Sequence, residues 1–200
     1  MEHPTISILI PTLGRTKGLG KCLQSIVMLN IAPNLLELWV KEDCGHIGVP
    51  KMVKQGVEET TGEWIVYASN DIEFTPNSIS EALKVYELTG KRLISFNTGE
   101  VYPDRGNELE HFMVKRDMLP LLDKGEVFDL DFHHLGVDNY LLAQGEKLNE
   151  YARAANAIVN HNHFTKGAEF DSTYKLGWSR VEEDRKLLKE KLARLENITI

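Results

Sequence analysis

The stretch VYASNDIEFTP, residues 66–76, begins as a buried β-strand and continues directly into a cluster of oxygen-bearing side chains. Its first residues are β-branched, aromatic and small, which is typical of a strand inside a sheet. Ser69, Asn70, Asp71 and Glu73, here called the polar cluster, follow without a Gly or Pro turn. Side-chain oxygens of this kind bind divalent cations, so the stretch predicts a ligand site at the end of a core strand.

The composition is that of a soluble globular domain, with 42% apolar and 26% charged residues over 200 positions. A formal net charge of −7 gives no general attraction to nucleic acid, so nucleic acid is not an expected partner. No apolar run approaches the roughly 18 residues that span a bilayer. Cys22 and Cys44 match neither a disulfide framework nor a metal knuckle, so we expect a cytoplasmic protein without a transmembrane segment.

The hydrophobic period alternates between strand-like and helix-like segments in the order β-α-β-α-β-α-β, which indicates a mainly parallel sheet flanked by helices. The predicted strands are residues 5–10, 36–40, 63–68, 92–96, 110–115 and 157–163. The predicted helices are residues 19–29, 51–59, 117–122 and 137–144, and a charged amphipathic helix at the C-terminus. One more helix is predicted to follow Thr75, its N-cap, with Pro76 in its first turn.

Polar side chains follow the first three predicted strands. Thr12 and Arg15 come after the first strand, Glu42 and Asp43 after the second, and the polar cluster after the third. In open α/β sheets, ligands bind beyond the carboxyl ends of the strands, where helix N-termini and loops converge. We therefore expect these residues to meet in one cleft.

Six segments in this order resemble family 2 glycosyltransferases of the GT-A fold. They read SILIPTLGR, KEDCG, TGEWIVYASNDIEFTPNSI, HFMVKRDMLPLL, HHLGVDNYLLAQGEKL and AIVNHNHF, and they extend over most of residues 5–164. The resemblance implies the fold of nucleotide-diphospho-sugar transferases, a mostly parallel Rossmann-like sheet flanked by helices. It implies one catalytic domain, residues 1–178, with a nucleotide-binding half at about 1–97 and an acceptor half at about 98–178. Residues 179–200 form a C-terminal helix for packing or for a homo-oligomer contact.

The metal-binding DxD motif of that family falls on Ser69-Asn70-Asp71, with Ser69 in place of the first carboxylate. The resemblance implies that Asp71 holds Mn²⁺ or Mg²⁺ against the diphosphate of a nucleotide sugar. His161 or His163, at the end of a β-branched run, completes the metal site. Either Asn70 or Glu73 is expected to compensate for the missing carboxylate. Asn70 is also expected to contact the donor. Without a ligand, Asn70 and Asp71 would simply cap a turn.

Asp138 matches the aspartate that serves as general base in the resembling family, although Val137 replaces the glutamate that normally precedes it. A helix cap is the alternative role for Asp138. At the first strand, Thr12 and Arg15 are expected to contact the nucleotide. Glu42 or Asp43 is expected to accept a hydrogen bond from the uracil ring.

The expected function is metal-dependent, inverting transfer of a sugar from a nucleotide-diphosphate donor to a hydroxyl acceptor. A UDP-sugar is the expected donor, and a glycan, a lipid-linked glycan or a protein is the expected acceptor. Ser69 and Val137 depart from functional motifs, so a non-catalytic module that binds nucleotide sugar or glycan is the alternative. A sugar-phosphate nucleotidyltransferase is less favoured, because its Gly-rich signature is replaced here by PTLGR.

Overall fold

The computed structural model describes residues 4–14, 16–99, 109–163 and 172–197. They form one seven-stranded sheet with helices on both faces. The strands are β1 (Ile6–Thr12), β2 (Leu36–Glu42), β3 (Trp64–Tyr67), β4 (Ile72–Phe74), β5 (Leu93–Asn97), β6 (Phe112–Lys115) and β7 (Tyr151–His161). The α-helices are α1 (Thr16–Val27), α2 (Val49–Glu59), α3 (Ser78–Thr89), α4 (Val137–Lys147), α5 (Ser172–Gly177) and α6 (Val181–Asn197).

The strand order in the sheet is β2-β1-β3-β6-β5-β7-β4. β1 pairs in parallel with β2 and β3, and β5 pairs in parallel with β7. β6 lies antiparallel between β3 and β5, and β4 lies antiparallel on β7. Consequently β1, β2, β3, β5 and β7 end on the same side of the sheet, and β6 begins there. This side is called the carboxyl end of the sheet below.

Alternating side chains of the central strands enter two cores, one on each face of the sheet. Ile8 and Ile10 of β1 pack in the first core with residues of α1 and α3. Leu9, between them, packs in the second core with residues of α2 and α4. Because both faces are covered, β1 and β3 are apolar almost throughout instead of alternating with polar residues.

The predicted order of strands and helices is confirmed from β1 to β5 apart from β4, and local predictions differ from the structure at three places. Residues 72–74 form β4, a strand that the sequence did not reveal. Helix α3 begins at Ser78, and Thr75 instead donates a hydrogen bond from Oγ1 to the carbonyl oxygen of Ile158 at 2.9 Å. The strand predicted at 157–163 is the last part of β7, which ends at His161.

The C-terminal helix α6 packs on the protein itself. Its leucines contact the second core, namely Leu187, Leu188, Leu192 and Leu195. The apolar face that was predicted for packing or for a homo-oligomer contact is therefore used for packing within the chain. Of the helices in the described ranges, none is long and apolar enough to cross a membrane.

Candidate metal and nucleotide site

The pairing of β4 with β7 places His161 beside Asp71. In this antiparallel register, Ile72 lies opposite His161. One residue further along β7, the backbone N–H of Asn162 donates to the carbonyl oxygen of Asp71 at 2.9 Å. His161 Nε2 consequently lies 3.6 Å from Asp71 Oδ1, and both side chains are only 9% exposed. A carboxylate and an imidazole thus face each other at the carboxyl end of the sheet.

The antiparallel strand β6 brings two further candidate ligands to the same place. Phe112 pairs with Tyr67, so the residues before Phe112 lie beside those that follow Tyr67. His111 Nε2 lies 3.5 Å from Ser69 Oγ. Glu110 Oε2 lies 3.2 Å from Nδ1 of His161. One ligand atom each of Glu110, His111 and His161 lies within 4.8 Å of the other two, a geometry that can hold a metal ion.

Helix α5 covers Asp71 with Tyr174. The Tyr174 hydroxyl donates to Asp71 Oδ2 at 3.1 Å, while Ser69 Oγ donates to Asp71 Oδ1. The ring of His163 packs edge-on against Tyr174 at 4.9 Å between ring centres. Its centre lies 5.1 Å from that of His161. Both histidines therefore lie at the site, and His161 Nε2 is 3.6 Å from the Asp71 carboxylate.

Asn70 and Glu73 each make a hydrogen bond to a neighbouring segment of the site. The Asn70 amide donates from Nδ2 to Thr12 Oγ1 at 2.6 Å, which joins the ends of β1 and β3. Glu73 Oε1 accepts a hydrogen bond from Asn162 Nδ2 at 2.9 Å. The two side chains thus connect strands and loops around the site.

Negative charge is concentrated around Asp71 in a poorly solvated region. Burial raises the pKa of the Cys22 thiol to about 12, and the charges of Asp71 and Glu73 contribute to this shift. Burial also raises the pKa of Tyr67, to which the charges of Asp138 and Asp71 add. A cation beside Asp71 would relieve this unfavourable charge. The charges of both Asp138 and Asp71 thus raise the pKa of the same buried Tyr67 phenol.

Asp138 is the second residue of α4 and is half-buried. Its Oδ1 accepts a hydrogen bond from the backbone N–H of Asn139 at 2.9 Å. Asp184 of α6 holds the loop before α4. Its carboxylate accepts hydrogen bonds from the backbone N–H groups of His133, His134 and Leu135, at 2.9, 2.9 and 2.8 Å. The C-terminal helix therefore determines where Asp138 is presented.

Glu42 and Asp43, the two predicted contacts of the base, differ in solvent exposure. Thr12 and Glu42 are register partners at the ends of β1 and β2. Glu42 is exposed, whereas Asp43 is buried, and the Asp43 carboxylate accepts hydrogen bonds from the N–H groups of Ile47 and Gly48 at 2.9 Å each. Asp43 thus closes its own loop, whereas Glu42 presents an exposed carboxylate at the end of β2. Arg15 lies outside the described residues.

Three residues of the site escaped the sequence reasoning, namely Glu110, His111 and Tyr174. The only signal for Glu110 and His111 was their position at the start of the strand predicted at residues 110–115. The direction of that strand decides on which side of the sheet they lie, and the sequence pattern does not specify it. Tyr174 follows a segment that lies outside the described residues, and nothing in its neighbourhood predicted a contact with Asp71.

No protein-family model and no curated protein matches this sequence. Solved structures do match the fold. A mannosyltransferase from Pyrobaculum calidifontis, PcManGT, in complex with GDP-Man and Mn²⁺, has a TM-score of 0.68 at 12% identity over 98% of this chain and 71% of that protein. S. aureus TarS 1–349 has a TM-score of 0.62 at 11% identity, over 88% of this chain and 70% of that one. Its complex with UDP-GlcNAc has a TM-score of 0.57 at 12% identity, over 96% and 72%.

The similarity to these proteins covers nearly the whole chain at very low sequence identity. It therefore shows the architecture and not the activity, because one fold can carry many functions. A mixed α/β sheet with helices on both faces and this set of structural neighbours identify the fold as GT-A, as the sequence predicted.

Proposed function

We propose that the protein is a glycosyltransferase similar to family 2, which moves a sugar from a nucleotide-diphosphate donor to a hydroxyl acceptor. The observation that carries the proposal is the pairing of Asp71 and His161 at the carboxyl end of a GT-A sheet, 3.6 Å apart. In this proposal, residues 1–97 form the nucleotide half and residues 98–178 the acceptor half. Glycans, lipid-linked glycans and proteins are the acceptor classes.

The geometry of Asp71 and His161 fits a divalent cation. Metal–ligand distances of about 2.0–2.2 Å place two adjacent ligand atoms on the order of 3–3.5 Å apart. The observed O···N separation of 3.6 Å is close to this range. One carboxylate with one imidazole suits Mn²⁺, and Mg²⁺ is the alternative when substrate oxygens fill the other positions. When bound, the ion supplies Lewis-acid stabilisation of the negative charge on the leaving diphosphate.

The donor is held, in this proposal, by the ends of β1, β2 and β3. Thr12 and Asn70 form the floor through their hydrogen bond, and Glu42 accepts the ring N–H of the base. A carboxylate that accepts this N–H favours a base with a ring donor, such as uracil. Guanine carries a ring N–H as well, so UDP-linked sugars, the donor expected from the sequence, are the first arm of the test and GDP-linked sugars the second. Arg15 is retained as a candidate phosphate contact.

Asp138 is the proposed general base. Its carboxylate takes the proton of the acceptor hydroxyl while that oxygen bonds to the anomeric carbon from the face opposite the diphosphate. The bond between the sugar and the diphosphate breaks in the same step, and the electron pair leaves with the diphosphate. The configuration at the anomeric carbon is thus inverted. Asp184 contributes by holding the loop that leads to Asp138.

The experiment measures release of nucleotide diphosphate from a panel of UDP- and GDP-sugars with Mn²⁺, for the wild type and for Asp138→Ala. Asn139→Ala, at the neighbouring exposed position, is the matched control. We expect release with one donor, a loss of at least 100-fold in Asp138→Ala, and near-normal release in the control. Nucleotide binding without release by the wild type would instead make the protein a binding module. Val137, which replaces the glutamate of the family motif, is buried in the second core. This departure from the motif is the observation that favours the binding module as the second candidate.

A further inference from the structure

We propose that His111 is a third protein ligand of the cation and that Glu110 orients His161 by contacting its Nδ1, while Nε2 faces Asp71. The inference rests on the cation site of the proposed function and adds two residues to it. It predicts a centre made of two imidazoles and one carboxylate. Such a centre selects Mn²⁺ and other transition metals over Mg²⁺ and does so before any nucleotide binds.

The two imidazole rings have the arrangement of adjacent ligands on one ion. The ring centres of His111 and His161 are 4.7 Å apart, with an angle of 89° between the planes. For a metal–nitrogen distance of about 2.1 Å, the ring centres of two adjacent histidine ligands lie roughly 4.5–5.3 Å apart. The observed distance falls within this range.

His111 reaches the place from which the first carboxylate of the DxD motif is missing. Its Nε2 lies 3.5 Å from Oγ of Ser69, the residue in that motif position. Serine is one atom shorter than aspartate, and its hydroxyl donates to Asp71 Oδ1. An imidazole directly before β6 thus stands where a second charged oxygen would otherwise be. The site retains its ligand number and carries less negative charge.

Glu110 determines which nitrogen of His161 can bind a metal. An ionised carboxylate only accepts hydrogen bonds, so the contact of 3.2 Å requires His161 Nδ1 to donate to Glu110 Oε2. In the neutral ring, Nε2 then carries the lone pair, and Nε2 is the nitrogen that faces Asp71. This relay of carboxylate, histidine and metal is a common second layer around metal ions. Glu110 is therefore a positioning residue.

The choice of ligands has a consequence for metal selectivity. Imidazole nitrogen suits transition metals such as Co²⁺ and Zn²⁺, and Mn²⁺, which also takes oxygen ligands, accepts it more readily than Mg²⁺, which keeps several waters. A site with Asp71 alone would instead bind either ion weakly until the diphosphate adds its oxygens. Two preplaced imidazoles allow transition metals to bind to the free protein.

The test titrates the metal-free 200-residue chain with Mn²⁺ and with Mg²⁺ by calorimetry in the absence of nucleotide. The visible absorption of bound Co²⁺ reports the ligand set. The variants are His111→Asn and Glu110→Gln. His46→Asn is the matched control, because His46 is exposed and asparagine tolerates its positive φ of 51°.

We expect one Mn²⁺ per chain and at least tenfold weaker binding of Mg²⁺ by the wild type. His111→Asn should weaken Mn²⁺ about 100-fold, leave Mg²⁺ nearly unchanged and alter the Co²⁺ spectrum. Glu110→Gln should weaken Mn²⁺ about tenfold while keeping the spectrum, because the second layer is typically worth 10–100-fold in affinity. His46→Asn should match the wild type.

Wild-type affinity and an unchanged Co²⁺ spectrum in His111→Asn would overturn the proposal, as would equal affinities for Mn²⁺ and Mg²⁺. If His111→Asn does not fold, Mn²⁺ titration of the wild type followed by NMR decides the question. Selective broadening of the His111 and His161 ring protons, with His46 unaffected, supports the proposal, and broadening without His111 refutes it. Because no nucleotide is present, absence of sugar transfer would reject the proposed function without affecting this result.

Discussion

The hydroxyl of Tyr174 donates a hydrogen bond to Oδ2 of Asp71 at 3.1 Å, in a buried contact between residues 103 positions apart. The other carboxylate oxygen, Oδ1, is the one that faces His161. Tyr174 thus holds Asp71 from one side while the opposite oxygen remains directed at the proposed cation. The carboxylate is oriented before any ligand arrives.

Replacing Tyr174 by phenylalanine should weaken Mn²⁺ binding about tenfold, because hydrogen bonds to charged groups contribute about 1.5–3 kcal/mol and part of that loss reaches the cation. The measurement is calorimetric titration of the nucleotide-free protein. Tyr86→Phe is the control, since Tyr86 packs on Trp64 at the start of β3, away from the carboxyl end of the sheet. Equal affinity in Tyr174→Phe and the wild type would show that the hydroxyl covers Asp71 without orienting it.

Substituting Asp184 by asparagine should lower the free energy of unfolding by about 2–3 kcal/mol, because a buried carboxylate then no longer satisfies three backbone N–H groups. Urea denaturation measures this loss. We also expect kcat to fall more than the donor KM rises, since the loop leads to Asp138 and not to the nucleotide strands. Glu183→Gln, on the exposed side of α6, should remain within about 0.5 kcal/mol of the wild type. Comparable losses in both variants would contradict the prediction.

Acid should destabilise the protein through the ion cluster under α6. Lys191, which is buried, contacts both Asp129 and Asp131. Hydrogen bonds from Lys124 and Lys191 lower the pKa of Asp131 to about 2. Burial alone would raise the pKa of Asp129, but the hydrogen bonds from Lys191, the backbone of Asp131 and Lys124 together outweigh it and lower that pKa. These depressed values stabilise the fold above the ordinary aspartate pKa, and the stabilisation is lost as the pH falls from about 4 towards 2.

Lys191→Met tests this cluster, because it removes a positive charge that compensates the negative charge of the buried Asp129. We expect a loss of about 3 kcal/mol near neutral pH, typical of a broken buried ion pair. The gap between the two proteins should shrink as the pH falls from about 6 to about 3, since protonation of Asp129 removes its unpaired charge in the variant. Urea midpoints across this pH range provide the measurement. A gap that is constant with pH would assign the loss to packing.

Gly48→Ala should destabilise the protein by about 2 kcal/mol or more. Gly48 has a φ of +93°, and an added Cβ would lie 2.5 Å from the carbonyl oxygen of His133. Gly20→Ala is the matched control, because an added Cβ there meets no atom within 4 Å and Gly20 lies inside α1. That change should stabilise by about 0.5–1 kcal/mol. Thermal unfolding of the two variants gives the comparison, and stabilisation by Gly48→Ala would refute the close approach of the two loops.

The strands and helices were largely predictable because they depend on local apolar patterns. Asp71 and His161 were candidate ligands from the sequence, and the structure brings them to 3.6 Å from each other. The short strand β4 was missed because its three residues show no periodicity of their own, and pairing with β7 stabilises them. The role of Asp43 was uncertain for a similar reason: its two backbone partners, Ile47 and Gly48, are visible only in the folded loop.

The alternating α/β order and the placement of polar residues at the strand ends are already contained in the sequence, because both follow from the period of nearby apolar side chains. Which of these residues meet depends on how distant segments pack. The antiparallel insertion of β6 between β3 and β5 brings Glu110 and His111 to the carboxyl end of the sheet. The packing of α5 brings Tyr174 to Asp71. Strand direction and helix docking depend on burial between distant segments, and no local pattern encodes them.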